Sequence, residues 1–271
     1  MKTRVITAVI GFLIAILAIT VGGYLYDAVI VVLTALGWGE LARMFKKRHI
    51  RIPVMGGHVV LLCLLIAFSL SFYAWGSILF ALGLMAMFVH YTFTDSEYNF
   101  GDLTSTILGL VYLGTGMASL LIIRQNAFMG AMHMPWSLEN WGVILVWLML
   151  FSTWASDTFA YFAGCFFGKR KIVPTISPNK TLEGFIGGFI GCLITGLVFA
   201  WLVGIPWTIG LAEGVIAGIL APLGDLFESK LKRNCEVKDS GVLLPGHGGV
   251  LDRFDSLLFV APITVLFFAL L

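Results

Sequence analysis

The residues best suited to chemistry lie in residues 229–255, which we call the charged segment. Its 27 residues carry ten ionisable side chains, counting His247, although the chain as a whole is 59% hydrophobic. Asp252 and Asp255 stand at a spacing of i, i+3, so both carboxylates share one face if the apolar run that follows is a helix. A carboxylate pair of this kind suits a hard cation such as Mg²⁺.

Features typical of phosphate binding surround that pair. The segment supplies the cations Lys230, Lys232, Arg233 and Lys238, and a glycine-rich turn at residues 245–249. Backbone N–H groups of such a turn can approach an anion closely, because few side chains cover them. Together these features predict a magnesium–nucleotide site. The alternative is a basic loop that only sets membrane topology, followed by two aspartates that complement a helix N-terminus.

Three other positions extend this prediction. Asp157 stands inside an apolar helix, where an ionised side chain costs about 2.5–3.5 kcal/mol and therefore needs a partner or a wet cavity. Lys180 precedes a second apolar run, where it could hold a phosphate near a helix N-terminus that has Thr181 as its N-cap. Asp225 and Glu228 form another i, i+3 pair at the end of a third run. Together with Asp252 and Asp255, this pair offers up to four carboxylates to one metal centre.

The elements that must position these residues are membrane helices. A mean hydropathy of +0.97, 12% charged residues and repeated apolar runs predict an all-α, polytopic integral membrane protein. Nine spans are predicted, at residues 5–22, 25–45, 55–74, 76–93, 103–123, 141–166, 183–204, 207–228 and 252–271. We divide them into N-terminal transmembrane helices at 1–140 and a C-terminal catalytic part at 141–271.

The distribution of basic residues predicts the orientation. With a cytoplasmic N-terminus, 16 of the 17 Lys and Arg residues fall inside and only Arg124 falls outside. This arrangement predicts a protein of the cytoplasmic (inner) membrane whose site loops, 168–182 and 229–251, face the cytoplasm. Glu40 lies close to the basic run at 43–51, and we interpret it as an interfacial residue that pairs with Arg43.

Composition and spacing also exclude some classes of partner. The small net charge of +2, without a basic face, argues against nucleic acid. The four cysteines lack CxxC spacing, which argues against a disulfide framework or a zinc site. Small residues four apart predict a close-packing helix face, used either within the chain or in a homodimer. These residues are Gly184, Gly187, Gly188 and Gly191.

Three motifs resemble those of a known enzyme family. The charged segment reads S-x-L-K-R-x4-K-D-x-G-x2-L-P-x-H-G-G-V-x-D-R-F-D, which is similar to the signature of the phosphatidate cytidylyltransferases, or CDP-diacylglycerol synthases. W-x-x-D-T-x-A-Y at 154–161 and S-P-N-K-T-x-E-G at 177–184 resemble further elements of that family. The resemblance implies that CTP and phosphatidate, a membrane lipid, are the substrates, and that CDP-diacylglycerol and pyrophosphate are the products.

Roles for the site residues follow from the motifs and the resemblance together. We assign Mg²⁺ to Asp225, Asp252 and Asp255, with Asp157 and Glu228 as additional ligands or as residues behind the ligands, and leave open a second cation. The catalytic residues are these three aspartates and Lys180. Substrate binding is assigned to Ser177, Asn179, Lys180, Lys232, Arg233, Lys238, His247, Gly248, Gly249 and Arg253.

Two other functions remain open from the sequence. A CTP-dependent lipid kinase would release CDP instead of pyrophosphate and would leave the nucleotide off the lipid. An ion-coupled transporter would use the intramembrane acids Asp157, Glu213 and Asp225 as an ion pathway.

Overall fold

The computed structural model describes residues 2–94, 98–125, 140–241 and 248–270. Within these ranges the chain forms nine α-helices, which confirms the predicted all-α class. They are α1 (Lys2–Val21), α2 (Gly23–Lys47), α3 (Val54–Ser69), α4 (Tyr73–Phe93), α5 (Phe100–Gln125), α6 (Trp141–Phe167), α7 (Leu182–Val203), α8 (Trp207–Asn234) and α9 (Leu251–Leu270).

Most of these helices suit a membrane. Of the helices in the described residues, seven are long and apolar enough to cross a bilayer by length and composition: α2 and α4 to α9. The shorter apolar stretches are Val54–Ser69, which is α3, and Val9–Val21 within α1. The protein is therefore a polytopic integral membrane protein, as the sequence predicted.

The chain divides into two compact units that do not follow chain order. The first comprises Met1–Ala127 and Asn234–Arg253, and the second comprises Phe128–Arg233 and Phe254–Leu271. The predicted boundary at residue 140 falls near the first division. However, residues 234–253 of the charged segment join the N-terminal helices instead of the C-terminal ones.

The core of the first unit is centred on Trp38 of α2. Its indole is fully buried and donates a hydrogen bond to Val54 O at 2.9 Å. A Cβ atom on Gly57 of α3 would overlap the ring, and one on Gly109 of α5 would lie 2.9 Å from it. Because α3 and α5 present glycines to the ring, α2 packs tightly between them, which fixes the helix that carries Glu40.

The second unit is organised by close contact between α6 and α7. A Cβ atom on Gly184 would lie 2.9 Å from Ala160 O, and one on Gly188 would lie 2.8 Å from Ser156 O. Gly187 and Gly191 face Ala163 and Phe159 of α6 in the same way. The glycine face is thus used within the chain. A homodimer stays a prediction.

Candidate functional site

A cavity of about 500 Å³ lies within the second unit, lined by α6, the residues before α7, and α8. Among its lining residues are Asp157, Asn179, Lys180 and Asp225. Four predicted site residues from three separate stretches of the sequence therefore share one cavity. A space with cations and carboxylates on its walls can hold a charged ligand such as a phosphate.

Lys180 and Asp225 form an ion pair on the wall of this cavity. Lys180 Nζ forms an ion pair with Asp225 Oδ2, and Ser229 Oγ donates to Asp225 Oδ1 at 3.3 Å. Each side chain of the pair is about 30% exposed, at 29% and 30%. The pair is thus half-solvated, so Lys180 can exchange its partner for an incoming anion without a buried charge being left behind.

Backbone contacts hold Lys180 at this position. Thr181 caps α7, since its Oγ1 accepts a hydrogen bond from Gly184 N at 3.1 Å, which confirms the predicted N-cap. Ile172 N donates to Lys180 O at 3.2 Å, and Leu182 N donates to Arg170 O at 2.8 Å. Backbone hydrogen bonds therefore join the residues after α6 to Lys180 itself and to Leu182, the first residue of α7.

The carboxylate of Glu183 strengthens the same turn. Its Oε2 accepts hydrogen bonds from Lys169 N at 2.9 Å and Arg170 N at 3.1 Å. The acid stands in the first turn of α7, where it also complements the helix dipole.

Close approach of α8 and α9 brings a second aspartate to Asp225. A Cβ atom on Gly224 would lie 2.5 Å from Asp255 O, and Ser256 Oγ donates to Ala221 O at 3.0 Å. As a result, the Asp255 carboxylate interacts electrostatically with Asp225, and also with Lys232 and Asp157. Two carboxylates that repel each other in this way favour a nearby cation.

Glu228 and Lys232 form a separate, buried pair on α8. Their side chains meet at 2.5 Å between Nζ and Oε2, at a spacing of i, i+4. Glu228 is fully buried and Lys232 is 9% exposed. Burial of two charges is tolerated when they satisfy each other, so this geometry accounts for both residues as an ion pair. Their assigned roles toward metal and substrate stay predictions.

In the first unit, the Asp252 carboxylate accepts hydrogen bonds from Ser240 and Gly249. Its Oδ2 accepts hydrogen bonds from Ser240 N at 3.0 Å, Ser240 Oγ at 2.9 Å and Gly249 N at 2.8 Å. Gly248 has a φ of 86°, and a Cβ atom there would lie 2.5 Å from the same carboxylate oxygen. Asp252 also stands in the first turn of α9, where a carboxylate complements the helix dipole. The metal role of Asp252 stays a prediction.

Other assigned residues are placed less tightly. Lys238 and Arg253 of the first unit and Arg233 of the second are exposed, and Ser177 is half-buried outside the cavity lining. His247 lies outside the described residues. Conversely, the cavity is also lined by Ser156 and Lys171, which sequence reasoning missed. The basic run at 169–171 was the available signal for Lys171.

The interpretation of Glu40 as an interfacial ion-pair residue is wrong. Its side chain is fully buried, and its carboxylate accepts hydrogen bonds from Val250 N, Leu251 N and Ser240 Oγ. The Glu40 carboxylate therefore binds residues of the charged segment, which lie about 200 positions away in the sequence.

The described residues limit how many protein ligands Mg²⁺ could have. Among them, no three His, Cys, Asp or Glu side chains are grouped so that they alone could hold a metal ion. Mg²⁺, however, commonly binds through one or two carboxylates and takes its other ligands from water and substrate phosphates. Asp225 lines the cavity, and Asp255 interacts electrostatically with Asp225. Binding of Mg²⁺ by these two carboxylates stays a prediction.

Comparisons with known proteins identify the family of the chain. A protein named phosphatidate cytidylyltransferase from Bacillus subtilis (strain 168) is 33% identical to the chain, over 100% of the chain and 98% of the relative. One of the same name from Synechocystis sp. is also 33% identical, over 99% of the chain and 96% of the relative. One of the same name from Staphylococcus haemolyticus is 34% identical over 97% of both. The model of the cytidylyltransferase family matches residues 2–271. This chain belongs to the cytidylyltransferase family.

Proposed function

We propose that the chain is a membrane-embedded phosphatidate cytidylyltransferase, which converts CTP and phosphatidate into CDP-diacylglycerol and pyrophosphate. The observation that carries the proposal is the cavity in which Lys180 and Asp225 face each other, with Asp255 close to Asp225. This arrangement supports phosphoryl chemistry at a membrane protein. The substrates themselves are inferred from the three relatives of that name.

The reaction needs no nucleophile from the protein. A phosphate oxygen of phosphatidate attacks the α-phosphorus of CTP and forms the new P–O–P bond. The bond from the α-phosphorus to the oxygen that bridges to the β-phosphorus breaks, and pyrophosphate leaves with that electron pair. Positioning of two anions and neutralisation of their charge therefore account for the catalysis required of the protein.

The residues of the cavity have distinct tasks in this scheme. Lys180 donates hydrogen bonds to a substrate phosphate, and Asp225 holds the ammonium group toward the cavity until the substrate arrives. Asn179 and Lys171 offer further donors from the same wall. Asp225 and Asp255 would hold Mg²⁺, which when bound supplies charge neutralisation to the triphosphate. The charge asymmetry of the loops supports a cytoplasmic opening, where CTP is available.

Two positions of radiolabel in CTP distinguish the proposal from its alternatives. Purified protein is incubated with phosphatidate, Mg²⁺ and CTP labelled at either the α- or the γ-phosphorus. Cytidylyl transfer places the α-label in lipid and the γ-label in pyrophosphate. A lipid kinase places the γ-label in lipid and the α-label in CDP, and a transporter labels no lipid. Either of these last two outcomes contradicts the proposal.

A further inference from the structure

Glu40 is a buried acid that holds the start of α9 from another helix. It lies on α2 and is 0% exposed. Its Oε1 accepts from Val250 N at 2.9 Å, and its Oε2 accepts from Leu251 N at 3.0 Å. These N–H groups stand at the N-terminus of α9, where helices leave backbone donors unsatisfied and favour a negative charge. Burial of the carboxylate is costly by itself and is offset by these bonds.

The same carboxylate shapes the loop that leads to α9. A Cβ atom on Gly241 would lie 2.5 Å from Glu40 Oε1, and one on Gly249 would overlap Glu40 Oε2 and Ser240 Oγ. Both positions therefore need glycine for the backbone to pass over the acid. Two glycines of the charged segment are thus explained by a residue on α2.

Ser240 ties this arrangement to Asp252. Its Oγ lies 3.2 Å from Glu40 Oε2 and 2.9 Å from Asp252 Oδ2. Asp252 in turn accepts from Gly249 N. Ser240 and residues 249–251 therefore donate hydrogen bonds to the same two carboxylates, those of Glu40 and Asp252.

We propose that Glu40 is a positioning residue for the cytidylyltransfer reaction: it fixes Ser240, Val250 and the first turn of α9, the helix that carries Asp252 and Asp255. Glu40 does not touch substrate in this scheme. The inference rests on the proposed function, because its kinetic consequence exists only if the charged segment and α9 serve that reaction.

The test compares three substitutions with a matched control. Glu40→Ala removes the acceptors, Glu40→Gln keeps one acceptor oxygen without the charge, and Glu40→Asp keeps the charge on a shorter arm. The control is Glu213→Gln. Glu213 is also 0% exposed, but its carboxylate accepts hydrogen bonds from Thr264 Oγ1 at 3.0 and 3.2 Å, and Thr264 is outside the charged segment. For each protein, unfolding temperature, kcat for pyrophosphate release, and amide hydrogen exchange are measured.

We expect amide exchange of Val250 and Leu251 to rise about tenfold in Glu40→Ala, while exchange in α6 and α7 is unchanged. Because small displacements of reacting groups cost about 10²-fold, kcat of the folded enzyme should fall by about that factor. Glu40→Asp and Glu40→Gln should fall between Glu40→Ala and the parent in both readouts. Glu213→Gln should keep the parental kcat and the parental exchange of the two amides.

Each remaining outcome is decisive. Unchanged exchange at Val250 and Leu251 in all three Glu40 variants overturns the inference. Faster exchange with parental kcat overturns it as well, and leaves the proposed function standing. If the parent itself fails to transfer cytidylyl groups, the proposed function is wrong irrespective of the exchange data. Should Glu40→Ala not fold, Glu40→Gln and Glu40→Asp carry the same comparison.

Discussion

Substitution of Lys180 by alanine separates the catalytic role of this residue from its structural one. In the structure the ammonium group pairs with Asp225, and both side chains are about 30% exposed, at 29% and 30%. An ion pair that is open to solvent contributes about 0.2–1 kcal/mol to stability. The loss of stability in Lys180→Ala should therefore lie within this range.

The expected loss of activity is larger. Removal of one preorganised donor from a developing phosphoryl or oxyanion charge costs about 10²–10³ in kcat, or about 2.7–4 kcal/mol. The two effects differ several-fold in free energy, so one variant distinguishes them. Lys180→Arg keeps the charge but not the geometry of the ammonium, and should retain only part of the activity.

The assay is steady-state pyrophosphate release against CTP concentration, with thermal unfolding in detergent recorded in parallel. Lys169→Ala is the matched control. It removes the same charge from the same loop, but Lys169 does not line the cavity. It should retain parental kcat. Parental kcat and KM in a folded Lys180→Ala protein would refute the assignment of Lys180 to substrate phosphate, and a parallel loss in Lys169→Ala would point to loop charge in general.

Three further predictions follow from the same geometry. In a cysteine-free background, Lys171→Cys and Asp239→Cys, both at exposed positions, should react with an impermeant thiol reagent only after the cells are opened; labelling of intact cells contradicts the orientation. Glu228→Ala should lower stability by about 3–5 kcal/mol, because it removes one partner of the buried ion pair with Lys232, and the double variant with Lys232→Met should recover most of the loss. Equal unfolding temperatures for the parent and Glu228→Ala would contradict this. Asp255→Asn should nearly abolish pyrophosphate release while the protein stays folded, and EDTA should do the same to the parent; a parental Mg²⁺ optimum in Asp255→Asn contradicts the metal role.

Local patterns predicted the features that depend on neighbouring residues. Hydropathy gave the helices, because a membrane span needs about 20 apolar residues in succession. The Thr181 cap was predictable for the same reason, since an N-cap bonds to a backbone group two or three residues ahead. Spacing of glycines also indicated the close-packing face of α7, although not that α6 covers it.

Pairings between distant residues were outside the reach of these patterns. Glu40 and Leu251 are 211 residues apart, and no periodicity in α2 indicates which backbone groups its acid accepts from. The sequence neighbours of Glu40 are basic, so a local argument favoured Arg43. The fold instead supplies unsatisfied N–H groups at a helix start, and a buried carboxylate accepts hydrogen bonds from them.

The i, i+3 spacing of Asp252 and Asp255 shows how far a local argument reaches. At 3.6 residues per turn, positions three apart differ by about 60° around the axis, so they share a face only broadly. Asp252 stands next to the first residue of α9, where its carboxylate turns back to Ser240 N and Gly249 N. Asp255 stands one turn further along, where the glycine at position 224 lets α8 approach and presents Asp225. Identical side chains at metal-ligand spacing thus acquire different partners, because residues before α9 donate hydrogen bonds to the first and the neighbouring helix meets the second.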